Sequence, residues 1–104
     1  MAYSSGLEVT VDWWANADVS DRVRRKVNRL VKSLGPVLNE YEASLFDMTN
    51  LASNGLDYLM PKIELNLPLY EEKVAFRIRM IRLDATQIFI ETKKGDAVAE
   101  VFLS

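Results

Sequence analysis

The sequence contains neither cysteine nor histidine, and it has a single glutamine, Gln87. Without cysteine there can be no disulfide, no thiolate metal site and no cysteine nucleophile. Without histidine the chain lacks the commonest general base and the commonest transition-metal ligand. We therefore expect no bound metal and no cofactor. The scarcity of cysteine and glutamine is also consistent with a thermophilic source.

Long apolar runs are missing as well. The unbroken apolar stretches are far too short to span a bilayer, so we expect no membrane partner. Residues 1–7 carry neither the basic segment nor the apolar segment of a signal peptide. A cytoplasmic location is the expectation that follows.

No motif marks a catalytic group. The glycines are isolated from one another, so no phosphate-cradling loop is predicted. Glu40 and Glu42 lie two positions apart on a predicted helix, and their side chains should point in different directions. Glu71 and Glu72 fall in a predicted turn, where acidic residues are ordinary. The chain is therefore predicted not to be an enzyme, and its function is expected to be binding.

The residues that are present suffice for one core. The chain has 104 residues, 49% hydrophobic and 27% charged, which indicates a single globular domain over residues 1–104. Its net charge of −2 is unevenly distributed. Residues 19–35 carry six bases and one acid, whereas residues 36–72 carry seven acids and one base. Such asymmetry shapes binding more than folding.

Apolar periodicity predicts the order β-α-α-β-β-β-β. Alternation over residues 7–14 predicts the first strand. Helical spacing over residues 20–34 predicts a helix with one apolar stripe: Val23, Val27, Leu30, Val31 and Leu34. It should pack on the sheet through Val23, Val27, Leu30 and Leu34. Gly35 should end this helix in a left-handed conformation, Pro36 suits the first turn of a second helix, and residues 54–55 should end that helix. The alternative is one helix bent at residues 35–36. Period two then returns and predicts four further strands: 62–69, 73–83, 87–94 and 97–103.

These elements predict an α+β fold, with one antiparallel sheet of four to five strands and a helical hairpin on one face. Pro61 and Pro68 cannot donate ladder hydrogen bonds, which predicts an edge or bulged strand. A slip of the apolar pattern at Met80 and Ile81 predicts a bulge or an over-long strand end there. Residues 94–96, with the sequence Lys-Gly-Asp, predict a tight hairpin turn.

The first surface that could bind an anion is the helix over residues 20–34. Its bases lie opposite the apolar stripe without an interleaved acid, so they repel one another: Arg22, Arg25, Lys26, Arg29 and Lys32. Phosphate or an acidic partner would explain this face. The alternative is a solvated helix surface, bridged to the acidic residues of segment 36–72.

The second surface is the sheet face turned away from the helices. It should combine aromatic rings with cations, with Tyr58 and Met60 at the strand entrance: Trp14, Lys62, Arg77, Arg79, Phe89 and Lys93. The bases of a single strand stack on rings while its phosphates meet cations. The same face carries acids that should confine phosphate to a restricted path: Glu8, Asp12, Glu64, Glu91 and Glu100. The alternative is that Trp14 and Phe89 pack in a dimer interface or beneath the N-terminal segment.

A family resemblance rests on a basic helix, VRRKVNRLVKSL, followed by a C-terminal meander that bears FRIRMIRL and IFIETKK. In this combination the chain resembles the archaeal ThermoDBP-type single-stranded DNA-binding proteins and their relatives, in outline and over its whole length. The resemblance implies binding of single-stranded DNA, without sequence preference, through a cleft of aromatic and basic residues. The sequence departs from some members in lacking a long C-terminal heptad extension that dimerises them, so the resemblance does not fix the oligomeric state.

Together these patterns predict a protein that binds single-stranded DNA or RNA with little sequence preference. The alternative is a self-associating structural or adaptor domain that does not bind nucleic acid. In that alternative, a homo-oligomeric or other protein partner should cover the edge strand near residues 61–68 or the face that carries Trp14 and Phe89.

Overall fold

The computed structural model describes residues 8–52, 62–69, 73–82 and 85–104. The elements follow in the order β1 (Val9–Trp13), α1 (Asp21–Ser33), α2 (Gly35–Ala52), β2 (Lys62–Leu69), β3 (Lys73–Arg82), β4 (Thr86–Thr92) and β5 (Ala97–Leu103). The five strands form one antiparallel sheet in the order β1-β5-β4-β3-β2. The predicted α+β class, the order of elements and the single antiparallel sheet are confirmed.

One face of the sheet is covered by the two helices, and the hydrophobic core lies between this face and the helices. Strand side chains such as Leu67, Ile78 and Ile90 are fully buried there, together with Val27 of α1 and Leu38 of α2. The opposite face carries mostly polar and aromatic side chains, and no helix of the described residues lies on it. We call it the open face: Thr10, Asp12, Lys62, Glu64, Asn66, Arg77, Arg79, Ile81, Gln87, Phe89, Glu91, Glu100 and Phe102.

Helix α1 begins one residue later than predicted, after Ser20. The Ser20 side chain caps the helix by accepting a hydrogen bond from the backbone N of Val23 at 3.3 Å. The helix packs through Val23, Val27 and Val31, which are all buried. Leu30 and Leu34, predicted to be part of this stripe, are only partly buried. Leu30 lies at the margin of the stripe, and Leu34 is already the C-cap residue.

The corner between the helices forms at Leu34. The prediction that Gly35 ends α1 in a left-handed conformation is wrong, because Gly35 is the first residue of α2. The Leu34 carbonyl accepts the first hydrogen bond of α2, from the backbone N of Leu38 at 2.8 Å. The Leu34 N–H meanwhile still donates to the Val31 carbonyl of α1 at 3.0 Å. One residue therefore serves both helix ends, and no left-handed residue is needed.

Strand β2 lies at the edge of the sheet, as its prolines predicted. Its register against β3 shifts between Leu67 and Leu69, on either side of Pro68. Pro68 has no N–H to donate, so it interrupts the ladder. Because β2 is an edge strand, only its pairing with β3 is affected. Pro61 lies outside the described residues.

Of the two alternatives predicted at Met80 and Ile81, the bulge is wrong, whereas the long strand end agrees with the structure. Both residues stay in register with β2 and with β4, and β3 continues to Arg82. Met80 is buried under the helices, whereas Ile81 lies half-buried on the open face. A register shift occurs instead in the pairing of β4 with β5, between Ile90 and Glu91.

The hairpin between β4 and β5 is confirmed. Gly95 has a φ of 96°, a conformation that side chains with a Cβ rarely adopt, and its N–H donates to the Thr92 carbonyl at 2.9 Å. The Thr92 hydroxyl also accepts a hydrogen bond from the backbone N of Asp96 at 3.2 Å. Strand β4 therefore ends at Thr92, and the predicted strand over residues 87–94 is two residues too long. Lys93 belongs to the turn.

Candidate functional site

The two adjacent tryptophans of the sequence face opposite sides of the sheet. Trp13 points toward α1, where its Nε1 donates a hydrogen bond of 2.8 Å to Asn28 Oδ1. Trp14 follows β1 directly, and its backbone N donates to the Val98 carbonyl at 2.9 Å. Pairing thus extends one residue beyond the strand, and alternation turns the Trp14 side chain to the open face.

Trp14 meets Phe89 on that face. The two ring centroids lie 6.3 Å apart with an interplanar angle of 77°, which is the favoured edge-to-face arrangement of aromatic rings. Trp14 is 37% exposed and Phe89 is half-buried, so part of each ring lies at the surface. The two rings that the sequence assigned to the site therefore form one aromatic pair.

Arg77 and Arg79 lie on β3 and both face the same side. Glu91, directly opposite Arg77 on β4, is only 4% exposed. Its carboxylate accepts a hydrogen bond from Arg77 Nε at 3.2 Å and another from Arg79 Nη1 at 3.3 Å. A buried carboxylate is tolerated when it is paired and hydrogen-bonded in this way. Glu91 therefore fixes the position of both guanidinium groups on the sheet.

The two guanidinium groups keep donors for a further acceptor. Their side chains are 32% and 33% exposed, and a guanidinium has five N–H groups of which Glu91 uses few. Arg77 Nη1 also lies 3.9 Å from Glu64 Oε2, a more exposed carboxylate. Within the described part of the chain, Arg79 Nε is buried without a hydrogen-bond partner. The pair therefore keeps N–H groups for a further acceptor, although two carboxylates, Glu64 and Glu91, already lie beside it.

The strand register orders these groups across the sheet. Arg79 lies opposite Phe89, Phe89 opposite Glu100, and Glu100 opposite Asp12. A row thus runs from a cation through a ring to two carboxylates. The β1–β5 half of the open face carries Asp12 and Glu100, two of the five acids predicted for this face. A phosphate chain on this face would be repelled from that half and confined to the side of β3.

The predicted lysines take different positions from the arginines. Lys93 is an exposed turn residue, and with Arg77, Asn66 and Phe76 it lines a depression of about 230 Å³. Lys62 begins β2 and lies on the open face opposite Ile81, two positions along β3 from Arg79. The two lysines therefore lie on either side of the arginine pair, Lys93 beside Arg77 and Lys62 toward Arg79. Tyr58 and Met60 lie outside the described residues.

The basic helix is not part of the same surface. Its buried side packs on the sheet, so its exposed side points away from the open face. The predicted helix residues thus lie on the other side of the sheet from Trp14 and Phe89: Arg22, Arg25, Lys26 and Arg29. The basic helix and the open face, each predicted as a surface for phosphate, are therefore separate in the fold.

The structural roles of Glu91 and Arg24 were not predicted from the sequence. Glu91 was expected only to repel phosphate, yet it holds Arg77 and Arg79 in place. Alternation alone put all three on one face, but their pairing depends on the β3–β4 register. Arg24 is structural: it lies over the Trp13 ring at 5.3 Å and donates to the carbonyls of Ala17 and Val19 at 2.9 and 3.0 Å.

A second depression lies beside α2, at the end of β3 and the start of β4. It has a volume of about 580 Å³, and its lining includes Asn39, Asp47 and Thr86. The Arg82 guanidinium lies 5.1 Å over the Phe46 ring there, and its Nη1 donates to Thr86 Oγ1 at 3.1 Å. Acids and a single cation share this wall, so it does not favour a particular charge of ligand.

Comparisons with known proteins do not assign the chain to a family. No family model, no curated protein and no solved structure matches it. Among the described residues, no group of three or more acidic side chains is arranged to hold a metal ion. No helix in the same residues is long and apolar enough to cross a membrane.

Proposed function

We propose that the domain binds single-stranded DNA or RNA on the open face, with little sequence preference. The observation that carries the proposal is the Trp14–Phe89 ring pair next to two guanidinium groups held by a buried carboxylate. The rings supply surfaces on which bases stack, and the guanidinium groups supply donors for phosphate. The proposal includes a cytoplasmic location, and it involves no catalysis.

Stacking should provide most of the affinity. A base stacked on an aromatic side chain contributes about 1–3 kcal/mol, and every base has a suitable face. Trp14 and Phe89 offer ring surface beside each other, so adjacent bases of one strand could use both. Bases in a duplex are already stacked on each other and are not free for such contacts. Preference for single strands therefore follows from the rings.

Local charge should set the path of the strand. The chain carries a net charge of −2, so it does not attract a polyanion as a whole. Asp12 and Glu100 repel phosphate from the β1–β5 half, while Arg77, Arg79 and Lys93 attract it along β3. The backbone of the strand should follow β3, with its bases directed toward β4 and the ring pair.

Glu91 lowers the net charge of the site but prepares its geometry. Two arginines held in place lose less conformational freedom on binding than two mobile ones. The expected consequence is modest affinity with few phosphate contacts. Two to three such contacts would give a logarithmic salt slope of about 1.4–2 for a single strand.

The test is a titration of labelled oligonucleotides, single-stranded and duplex, with tryptophan fluorescence as a second readout because Trp14 lies in the site. The wild-type chain should bind single strands more tightly than duplex. Phe89→Ala should weaken single-strand binding by about 1–3 kcal/mol without changing the salt slope. Phe46→Ala is the matched control, because Phe46 is a 48% exposed ring on α2, on the other side of the sheet from Trp14 and Phe89.

Two outcomes would reject the proposal. Equal or tighter binding of duplex would mean that stacking on the ring pair does not drive the interaction. Absence of binding to any oligonucleotide at low salt, where electrostatic attraction is strongest, would remove nucleic acid as the ligand.

A further inference from the structure

The outer surface of the two helices is divided by charge. Helix α1 carries six bases and one acid, whereas α2 carries three acids and no base. Both helices pack on the same face of the sheet, so their exposed sides point in the same direction. A basic strip on α1 and an acidic strip on α2 therefore face the same way and meet at the corner at Leu34, on the side of the molecule away from the proposed nucleic-acid site.

The exposed charges have matching spacing on the two helices. Arg25 and Lys32 lie seven positions apart on α1, and both are exposed. Glu40 and Asp47 lie seven positions apart on α2, and both are exposed. At 1.5 Å of rise per residue, each pair spans about 10 Å along its helix. Two helices that meet side by side could thus pair both charges at once.

Exposed apolar groups lie beside the acids of α2. Phe46 is 48% exposed and Met48 is 40% exposed, whereas the neighbouring Leu45 is fully buried. Large apolar side chains this exposed on a helix are suited to contact with another protein surface. The acidic strip therefore offers both charge and apolar area.

We propose that this helical surface binds a second copy of the chain in an isologous dimer. In a two-fold dimer the same patch contacts itself, with residue i of one copy meeting residue j of the other and the reverse. The basic strip of α1 then faces the acidic strip of α2 in the partner, twice. Phe46 and Met48 of each copy lie on the two flanks of this contact, with Asp47 between them on α2.

A nucleic-acid backbone fits this surface less well than a second copy. Both helices turn their exposed sides in the same direction and meet at Leu34, so a polyanion that binds along α1 and past this corner comes close to the acids of α2. Phosphates on α1 would therefore be repelled by Glu40 and Asp47 of α2. A second copy satisfies both strips, because its own strips have the opposite order across the two-fold axis.

The available area is sufficient for a dimer. A stable interface of standard size buries about 800 Å² on each partner. The molecule measures 45 × 38 × 24 Å, so its broad sides are several helix diameters across in both directions. A dimer through the helical side would leave both open faces free on opposite outer sides. The proposal is therefore independent of what the open face binds.

Sedimentation equilibrium over a range of protein concentrations tests the dimer, at about 0.1 M and about 1 M salt, where the Debye length falls from about 10 Å to 3 Å. The wild-type chain should dimerise, and more weakly at high salt. The double variants Arg25→Glu/Lys32→Glu and Glu40→Lys/Asp47→Lys should each raise the dissociation constant at least about tenfold at low salt, since each faces like charges twice.

A mixture of the two double variants provides the sharpest result. In the mixture, reversed α1 of one chain meets reversed α2 of the other, and the unchanged strips also match. A heterodimer should form at low salt although neither variant dimerises alone. Lys93→Glu/Lys94→Glu and Glu8→Lys/Asp18→Lys change the net charge equally at exposed positions outside the helices, and they should dimerise like the wild type.

Three results would overturn the proposal. A wild-type chain that remains monomeric at all concentrations and both salt levels has no such interface. A dimer that is insensitive to both helix variants uses another surface. Failure of the mixed variants to associate, with loss of oligonucleotide binding in Arg25→Glu/Lys32→Glu, would instead make α1 a polyanion-binding surface.

Discussion

The two faces of the sheet are built on different principles. The covered face is continuous apolar surface, where side chains such as Ile78 and Ile90 are fully buried under the helices. The open face is a mosaic of rings and charges, and its one buried charge, among the described residues, is Glu91. The covered face is stabilised by the amount of apolar surface that it buries. The open face depends on which residues are cross-strand partners, as Arg77 and Glu91 are.

Register connects the two faces. Side chains alternate, so a slip of one residue in any strand would expose its apolar set and bury its charges. The apolar face therefore fixes the register, and the register then places Arg77 opposite Glu91 and Arg79 opposite Phe89. The arrangement of the candidate site is thus a consequence of core packing on the other side of the sheet.

The difference between the two faces predicts that the largest loss of stability follows a substitution on the covered face. Ile90→Ala removes a fully buried side chain and leaves a cavity, so the free energy of unfolding should fall by about 2–5 kcal/mol. Phe102→Ala removes a larger side chain from the open face but should cost less than about 0.5 kcal/mol. Urea denaturation of both variants measures the difference. Equal losses would mean that the open face is also covered.

The second-largest loss of stability is expected on substitution of Glu91. Glu91→Ala leaves the guanidinium groups of Arg77 and Arg79 close together without their shared acceptor, which should cost about 1–3 kcal/mol. The same variant should also weaken single-strand binding, because the two arginines lose their fixed position. Glu91→Gln keeps the shape and separates loss of charge from loss of packing. Unchanged stability in both variants would show that the carboxylate does not support the arginines.

The smallest effect is expected at Glu100, and with the opposite sign. Glu100 stands directly opposite Asp12, and like charges in that position destabilise a sheet. Glu100→Gln should therefore raise the free energy of unfolding by about 0.2–1 kcal/mol at low salt. The gain should disappear at high salt, where the repulsion is screened. A loss of stability at low salt would show that Glu100 has a favourable contact instead.

The sequence was sufficient for the layout because periodicity reports burial. The strands of the meander and both helices follow from apolar spacing, and Ser20 and Gly95 mark a helix start and a turn. The corner at Leu34 was not predictable from propensity, since one residue serves both helix ends there. The pairing of Arg77 with Glu91 needed the strand register, and the separation of the basic helix from the open face needed the packing.

Within the candidate site the sequence identified the rings and the arginines but misjudged what holds them. Alternation placed Trp14, Phe89 and Arg79 on one face, and the structure brings them together. Lys93 was assigned to a strand but lies in the turn, because Thr92 already bonds to Gly95 and Asp96. Glu91 was treated as an obstacle to phosphate, since composition does not reveal that a carboxylate is buried between two arginines.

The measurement that tests the central claim most directly is the salt dependence of single-strand binding for two double variants. Arg77→Ala/Arg79→Ala removes cations from the open face, and Arg25→Ala/Arg29→Ala removes two from α1. The first should lower the logarithmic salt slope by about 1.4, because each lost phosphate contact lowers it by about 0.7. The second should leave the slope unchanged. The reverse result would contradict binding on the open face and assign the site to the basic helix.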